Sequence, residues 1–96
     1  MEVDEAVELA KERIRDLFAD EKITDLGLEE IEYDEQGHLW KVTIGFSRPW
    51  DRPENTLASI AQQVIFKKRS YKVVRIDDPT KKVKSVKNRE FPPSEL

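Results

Sequence analysis

His38-Leu39-Trp40-Lys41-Val42-Thr43-Ile44-Gly45-Phe46-Ser47 is the stretch whose reading decides the fold. Trp40, Val42, Ile44 and Phe46 share one parity, and Leu39, Lys41, Thr43 and Gly45 share the other. That period of two is what a half-buried β-strand imposes. Upstream, Asp34-Glu35-Gln36-Gly37 has turn chemistry. Before it, Leu28-Glu29-Glu30-Ile31-Glu32-Tyr33 puts Ile31 and Tyr33 on one face and Glu30 and Glu32 on the other. Together these segments predict a β-hairpin with the Trp40 face turned inward.

Toward the amino terminus, Val3, Val7, Ala10, Ile14, Leu17 and Phe18 recur at helical spacing and predict an amphipathic helix ending around Ala19 to Glu21. Asp4 is its expected N-cap, and Asp4, Glu5 and Glu8 suit the positive end of the helix dipole. A linker containing Gly27 follows. Beyond the hairpin, the prolines of Arg48-Pro49-Trp50-Asp51-Arg52-Pro53 cannot continue a central strand, so this is read as a loop. Asn55 caps a short second helix over Leu57, Ile60, Ala61 and Val64, or else Val64-Ile65-Phe66 is strand; the pattern leaves both open.

Ser70 to Asp77 is rich in β-formers and leads into a turn at Asp78-Pro79-Thr80-Lys81, then a returning strand over Lys82 to Arg89. Val83 and Val86 have opposite parities, which predicts a bulge or an edge strand. The expected architecture is α+β, with an N-terminal helix on a mostly antiparallel sheet of about four strands. Residues 1–96 form a single small domain, 48–66 a long mobile connection and 91–96 a frayed tail.

Composition narrows the chemistry. Hydrophobic residues at 38% against 39% charged suit a small globular domain rather than a membrane protein. No stretch approaches the roughly 20 apolar residues that span a bilayer, and the acidic MEVDEAVELA start reads against a secretory signal, so the expectation is cytoplasmic. The absence of cysteine excludes disulfides, thiolate nucleophiles and zinc–thiolate sites. His38 is the only histidine and reads as an exposed turn residue. Asp77 and Asp78 beside Pro79 read as turn initiators, and Glu29, Glu30 and Glu32 are split between strand faces. No phosphate loop or nucleophile elbow occurs, so no cofactor, metal or catalytic residue is expected.

From Tyr71 through Val86, the sequence Tyr-Lys-Val-Val-Arg-Ile-Asp-Asp-Pro-Thr-Lys-Lys-Val-Lys-Ser-Val resembles the closing hairpin of PepSY-type domains. These pair a strand ending in Asp with a Thr-Gly turn and a strand beginning with Val; Lys81 stands where the family has glycine. Most such domains are exported or membrane-tethered, and some are linked to protease inhibition. The resemblance implies a fold more than a function.

Charge is segregated along the chain. Residues 1–40 hold fourteen Asp and Glu against four Lys and Arg, whereas residues 67–89 hold ten Lys and Arg against Asp77 and Asp78. One reading is that the halves complement each other within the fold, with Glu30 and Glu32 facing Lys41, Lys72, Lys82 and Lys84 across strands. The other is a nucleic-acid surface built from Lys67, Lys68, Arg69, Lys72, Lys82, Lys84, Lys87 and Arg89. Composition favours the first, because net charge is −3 and no nucleic-acid signature is present. The leading expectation is a non-enzymatic module that binds a protein partner, or a second copy of itself. Its contacts are Arg48, Trp50, Arg52, Leu57, Ile60, Val64 and Phe66, or an open sheet edge.

Overall fold

Alternation of apolar side chains in two central strands, covered by one stripe of small and branched helical residues, builds the core among the described residues. The computed structural model describes residues 1–49 and 69–89. Its elements are α1 (Val3–Leu17), β1 (Thr24–Asp34), β2 (Leu39–Ser47), β3 (Ser70–Asp77) and β4 (Val83–Asn88). The four strands form one sheet in the order β1-β2-β3-β4, with every neighbouring pair antiparallel. This is the helix-on-antiparallel-sheet α+β fold expected from the sequence. The expected helix or strand at 55–66 and the frayed tail at 91–96 lie outside the described residues.

Val42, Ile44 and Phe46 of β2, Val74 and Ile76 of β3, and Ala6, Ala10 and Ile14 of α1 are fully buried together. Register explains the sheet half of this set: Val42 sits opposite Val74 and Trp40 opposite Ile76, so their side chains share the face toward α1. The helix stripe differs from the expected one. Ala10 and Ile14 are core, but Val3 and Leu17 remain 47% and 48% exposed, and Ala6 takes the place assigned to Val3 and Val7. Alanines bring the helix backbone close to the strands, and a hydrophobicity count underrates them for that reason.

Helix ends also differ. α1 begins at Val3 behind Glu2, which makes no side-chain cap hydrogen bond, and Asp4 lies in the first turn beside Glu5. The helix stops at Leu17, before the predicted Ala19 to Glu21, and Phe18 folds back at the C-cap. β1 is longer than expected and takes in the presumed linker around Gly27. Register shifts between Thr24 and Gly27 and between Leu28 and Glu30 break its alternation, which hid those residues from a period-two reading. β4 carries the expected irregularity: Ile76 pairs with Val83 but Arg75 with Ser85, so Lys84 is the inserted residue. That insertion restores parity and lets Val83 and Val86 both pack against the core.

Ala10→Leu therefore overpacks the α1–sheet contact and costs about 1–3 kcal/mol, whereas Val3→Ala and Leu17→Ala each cost less than about 1 kcal/mol, as surface substitutions do. Urea denaturation of the three variants measures this; equal losses at all three positions would restore the Val3/Leu17 stripe.

Candidate interaction surface

The two hairpin turns are built alike and sit side by side. In the first, Asp34 Oδ1 accepts the amides of Gln36 (3.1 Å) and Gly37 (3.3 Å). In the second, Asp77 Oδ2 accepts the Thr80 amide (3.0 Å) and hydroxyl (2.6 Å). Each turn ends on a left-handed non-glycine residue, His38 at φ 52° and Lys81 at φ 61°. Lys81 thus adopts the conformation that glycine favours at that position. The Asp78 amide donates to the His38 carbonyl (2.9 Å), tying one turn to the other.

The start of α1 is fastened to this pair. The Met1 amine lies 3.3 Å from Asp78 Oδ1, and Lys81 Nζ lies 2.7 Å from Glu5 Oε1. Trp40 donates its indole N–H to Asp78 Oδ1 (2.9 Å) while its ring packs on Tyr33, centroids 4.8 Å apart. The alternation of β2 turns Trp40 to the same face as the fully buried Val42, Ile44 and Phe46. Trp40 is half-buried at the turn end of the sheet, and Phe46 is the residue that meets Phe18, at 5.1 Å. The Trp40 indole, with the Met1 amine in support, holds the Asp78 carboxyl below its usual range; the Thr80 hydroxyl and amide do the same for Asp77.

At the other end of the sheet, Arg48 is consumed by the fold. Its guanidinium lies 4.7 Å from the Phe18 ring centroid and 5.7 Å from that of Phe46, with Nε 3.4 Å from Glu21 Oε2. Lys72 shares this neighbourhood. Pairing of Ile44 with Lys72 puts its side chain on the helix face, not the outer face expected, where Nζ lies 5.7 Å from the Phe18 centroid and donates to Asn88 Oδ1. Partial burial, followed by the nearby Arg48 charge, lowers its pKa.

Opposite α1, the sheet's second face is crossed by two arginines. Arg69 reaches over Gly45 to Glu29 Oε1 (3.5 Å) and donates to the Asp25 carbonyl (2.8 Å). Gly45 makes the crossing feasible: a Cβ there would stand 2.8 Å from Glu29 Oε1 and 3.0 Å from Arg69 Nη2. From the far edge, Arg89 extends to within 3.6 Å of Glu30 Oε2, and together with Glu32, Lys41, Thr43 and Val73 these residues line a shallow depression. Thr43 at its floor is only 4% exposed. The acidic and basic halves do meet across this face, through Arg69 and Arg89; of the lysines expected there, Lys41 stands opposite Glu32 in the β1–β2 register, Lys72 lies on the helix face, and Lys82 and Lys84 make no ion pair among the described residues. Arginine's longer fork spans two strands, and Gly45 was the sequence signal that marked the crossing.

Of the residues considered for nucleic acid, Arg69, Lys72 and Arg89 are thus engaged within the fold. Lys82, Lys84 and Lys87 are exposed and make no ion pair among the described residues, and Lys67 and Lys68 lie outside them. Trp50, Arg52, Leu57, Ile60, Val64 and Phe66, expected to bind protein, also lie outside the described residues. Among the described residues, no group of three or more His, Asp or Glu is placed to hold a metal ion, and no helix is long and apolar enough to cross a membrane. The chain matches no protein-family model, no curated protein and no solved structure.

With both turn carboxyls lowered, their contribution to stability is fully present above the ordinary aspartate value of about 3.9 and is lost as pH falls below it through the folded values. The melting temperature of the wild type therefore drops between pH 5 and pH 2.5, at the acid limit of this linkage. Asp78→Ala and Trp40→Phe lower the neutral-pH value and shrink that drop. A Trp40→Phe protein with the full wild-type drop would remove the indole as the cause.

Proposed function

We propose that this chain is a non-enzymatic protein-interaction module whose binding segment is the connection between β2 and β3. The observation that carries the reading is topological. β2 and β3 are adjacent antiparallel strands, and Phe46 pairs directly with Ser70. Two to five residues suffice to join such strands, yet residues 48–69 intervene. The scaffold does not need that length. The connection also holds Trp50, Leu57, Ile60, Val64, Ile65 and Phe66, a composition richer in apolar and aromatic residues than a spacer requires. Arg48, held by Phe18 and Glu21, anchors one end of it.

Nucleic-acid binding through the basic hairpin is the second reading, and the exposed trio Lys82, Lys84 and Lys87 is the observation in its favour. Engagement of Arg69, Lys72 and Arg89 by protein groups supports ranking it lower. The PepSY-type resemblance of the second hairpin stays part of the proposal at the level of fold, with the left-handed Lys81 in its support.

The test uses a photo-crosslinking residue placed in living cells at Trp50, Phe66 or Lys87, with Glu12 on the exposed side of α1 as control. A discrete protein adduct from the connection and none from the control is the expected result. A nuclease-sensitive adduct at Lys87 would favour the second reading, and equal labelling at all positions would overturn the first.

A further inference from the structure

The two edges of the sheet carry opposite charge. β1 bears Asp25, Glu29, Glu30, Glu32 and Asp34 without a cation; β4 bears Lys84 and Lys87 without an acid, flanked by Lys82 and Arg89. Glu32, Lys84 and Lys87 are exposed and make no ion pair among the described residues. Each edge also carries half-buried apolar residues toward the helix face: Ile31 and Tyr33 on β1, Val83 and Val86 on β4.

From this complementarity we infer that the acidic β1 edge of one copy accepts the basic β4 edge of a second copy, extending the sheet head to tail. The inference is independent of residues 48–69. Strand direction permits the pairing: in a four-stranded antiparallel meander β4 runs opposite to β1, so a copy translated across the sheet lays its β1 antiparallel to β4 with α1 on the same side. Four strands at about 4.8 Å occupy roughly 19 Å per copy, more than the 10–12 Å a helix needs, so successive helices do not collide.

The regular stretches Glu30–Asp34 and Ser85–Asn88 then face each other. Lys87 lies beside Glu30 and Glu32 on the open face, and Val86 lies beside Ile31 on the helix face. Edge lysines ordinarily deter pairing between sheets. Here they deter β4 from meeting β4, as the carboxylates deter β1 from meeting β1, because like charges directly opposite are unfavourable. What remains is the unlike pair, a heterologous contact that does not close on itself.

Light scattering after gel filtration tests this on the full chain over a wide concentration range, in about 20 mM and about 0.5 M salt, conditions that separate weak from strong screening. At low salt the average mass rises with concentration past that of a dimer; at high salt it returns toward the monomer. Lys87→Glu and Glu32→Lys, each checked for folding by circular dichroism, remain monomeric alone. Mixed in equal amounts they associate again, because the exchanged edges match, and a merely structural defect would not be repaired by mixing. A wild type that stays monomeric, a salt-resistant closed dimer, or a mixture that fails to associate would each overturn the inference. If the wild type stays monomeric but an extended lysine–valine peptide perturbs the β1 amides, the edge takes a basic segment of another protein and self-association is overturned.

Discussion

The close contact between the Ala6–Ala10–Ile14 stripe of α1 and the Val42–Ile44–Phe46 row of β2 is the constraint on which the remaining structure depends. A chain this short has one core to build and little margin in building it. Two alanines set the helix close enough for a single stripe to cover the buried rows of β2 and β3. The cost of that economy is visible at the rim: Val83 and Val86 of β4, and Ile31 and Tyr33 of β1, stay half-buried. Both ends of the helix are fastened by contacts outside the core. Met1 and Glu5 meet the β3–β4 turn, and Phe18 and Glu21 meet the end of β2 through Phe46 and Arg48.

Covering one face leaves the other to charge. A basic second half and an acidic first half would repel nothing and attract little if they stood on separate surfaces. The meander instead places them on opposite edges of one sheet, and Arg69 and Arg89 reach inward across it to Glu29 and Glu30. Ion pairs at a protein surface, the Arg69–Glu29 one partly buried and the Arg89–Glu30 one exposed, stabilise weakly, typically by no more than about 1 kcal/mol each. Their larger effect is on availability, since they withdraw two arginines from any polyanion while leaving the β4 lysines exposed.

The hairpins were legible because period two and turn chemistry agree at 30–47 and at 70–81, and the β2–β3 register follows from which parity is apolar. The β4 bulge was legible too, as a clash of parity between Val83 and Val86. Less of the helix was readable: its place in the chain was evident, but its ends were set by Glu2 and Phe18 and not by the expected caps, and alanine's weak hydrophobicity disguised part of the stripe that touches the sheet. β1 before Leu28 was hidden by two bulges that scramble alternation. Lys72 was misplaced to the outer face because its charge argued against the helix side; register with Ile44 overrides that, and Phe18 and Asn88 accommodate the ammonium. The candidate site was the least legible part, since Arg48 reads as a binding residue until Phe18 and Glu21 are seen around it.

Native-state hydrogen exchange tests most directly whether the α1–β2 contact governs the whole molecule. The expected result is that amides in the middle of α1, such as Ala10 and Ile14, and those of Val42, Ile44 and Val74 open with one common free energy equal to that of global unfolding. Rapid, independent exchange of α1 over a still-protected sheet would contradict it, because the sheet would then be stable without the helix said to hold it together.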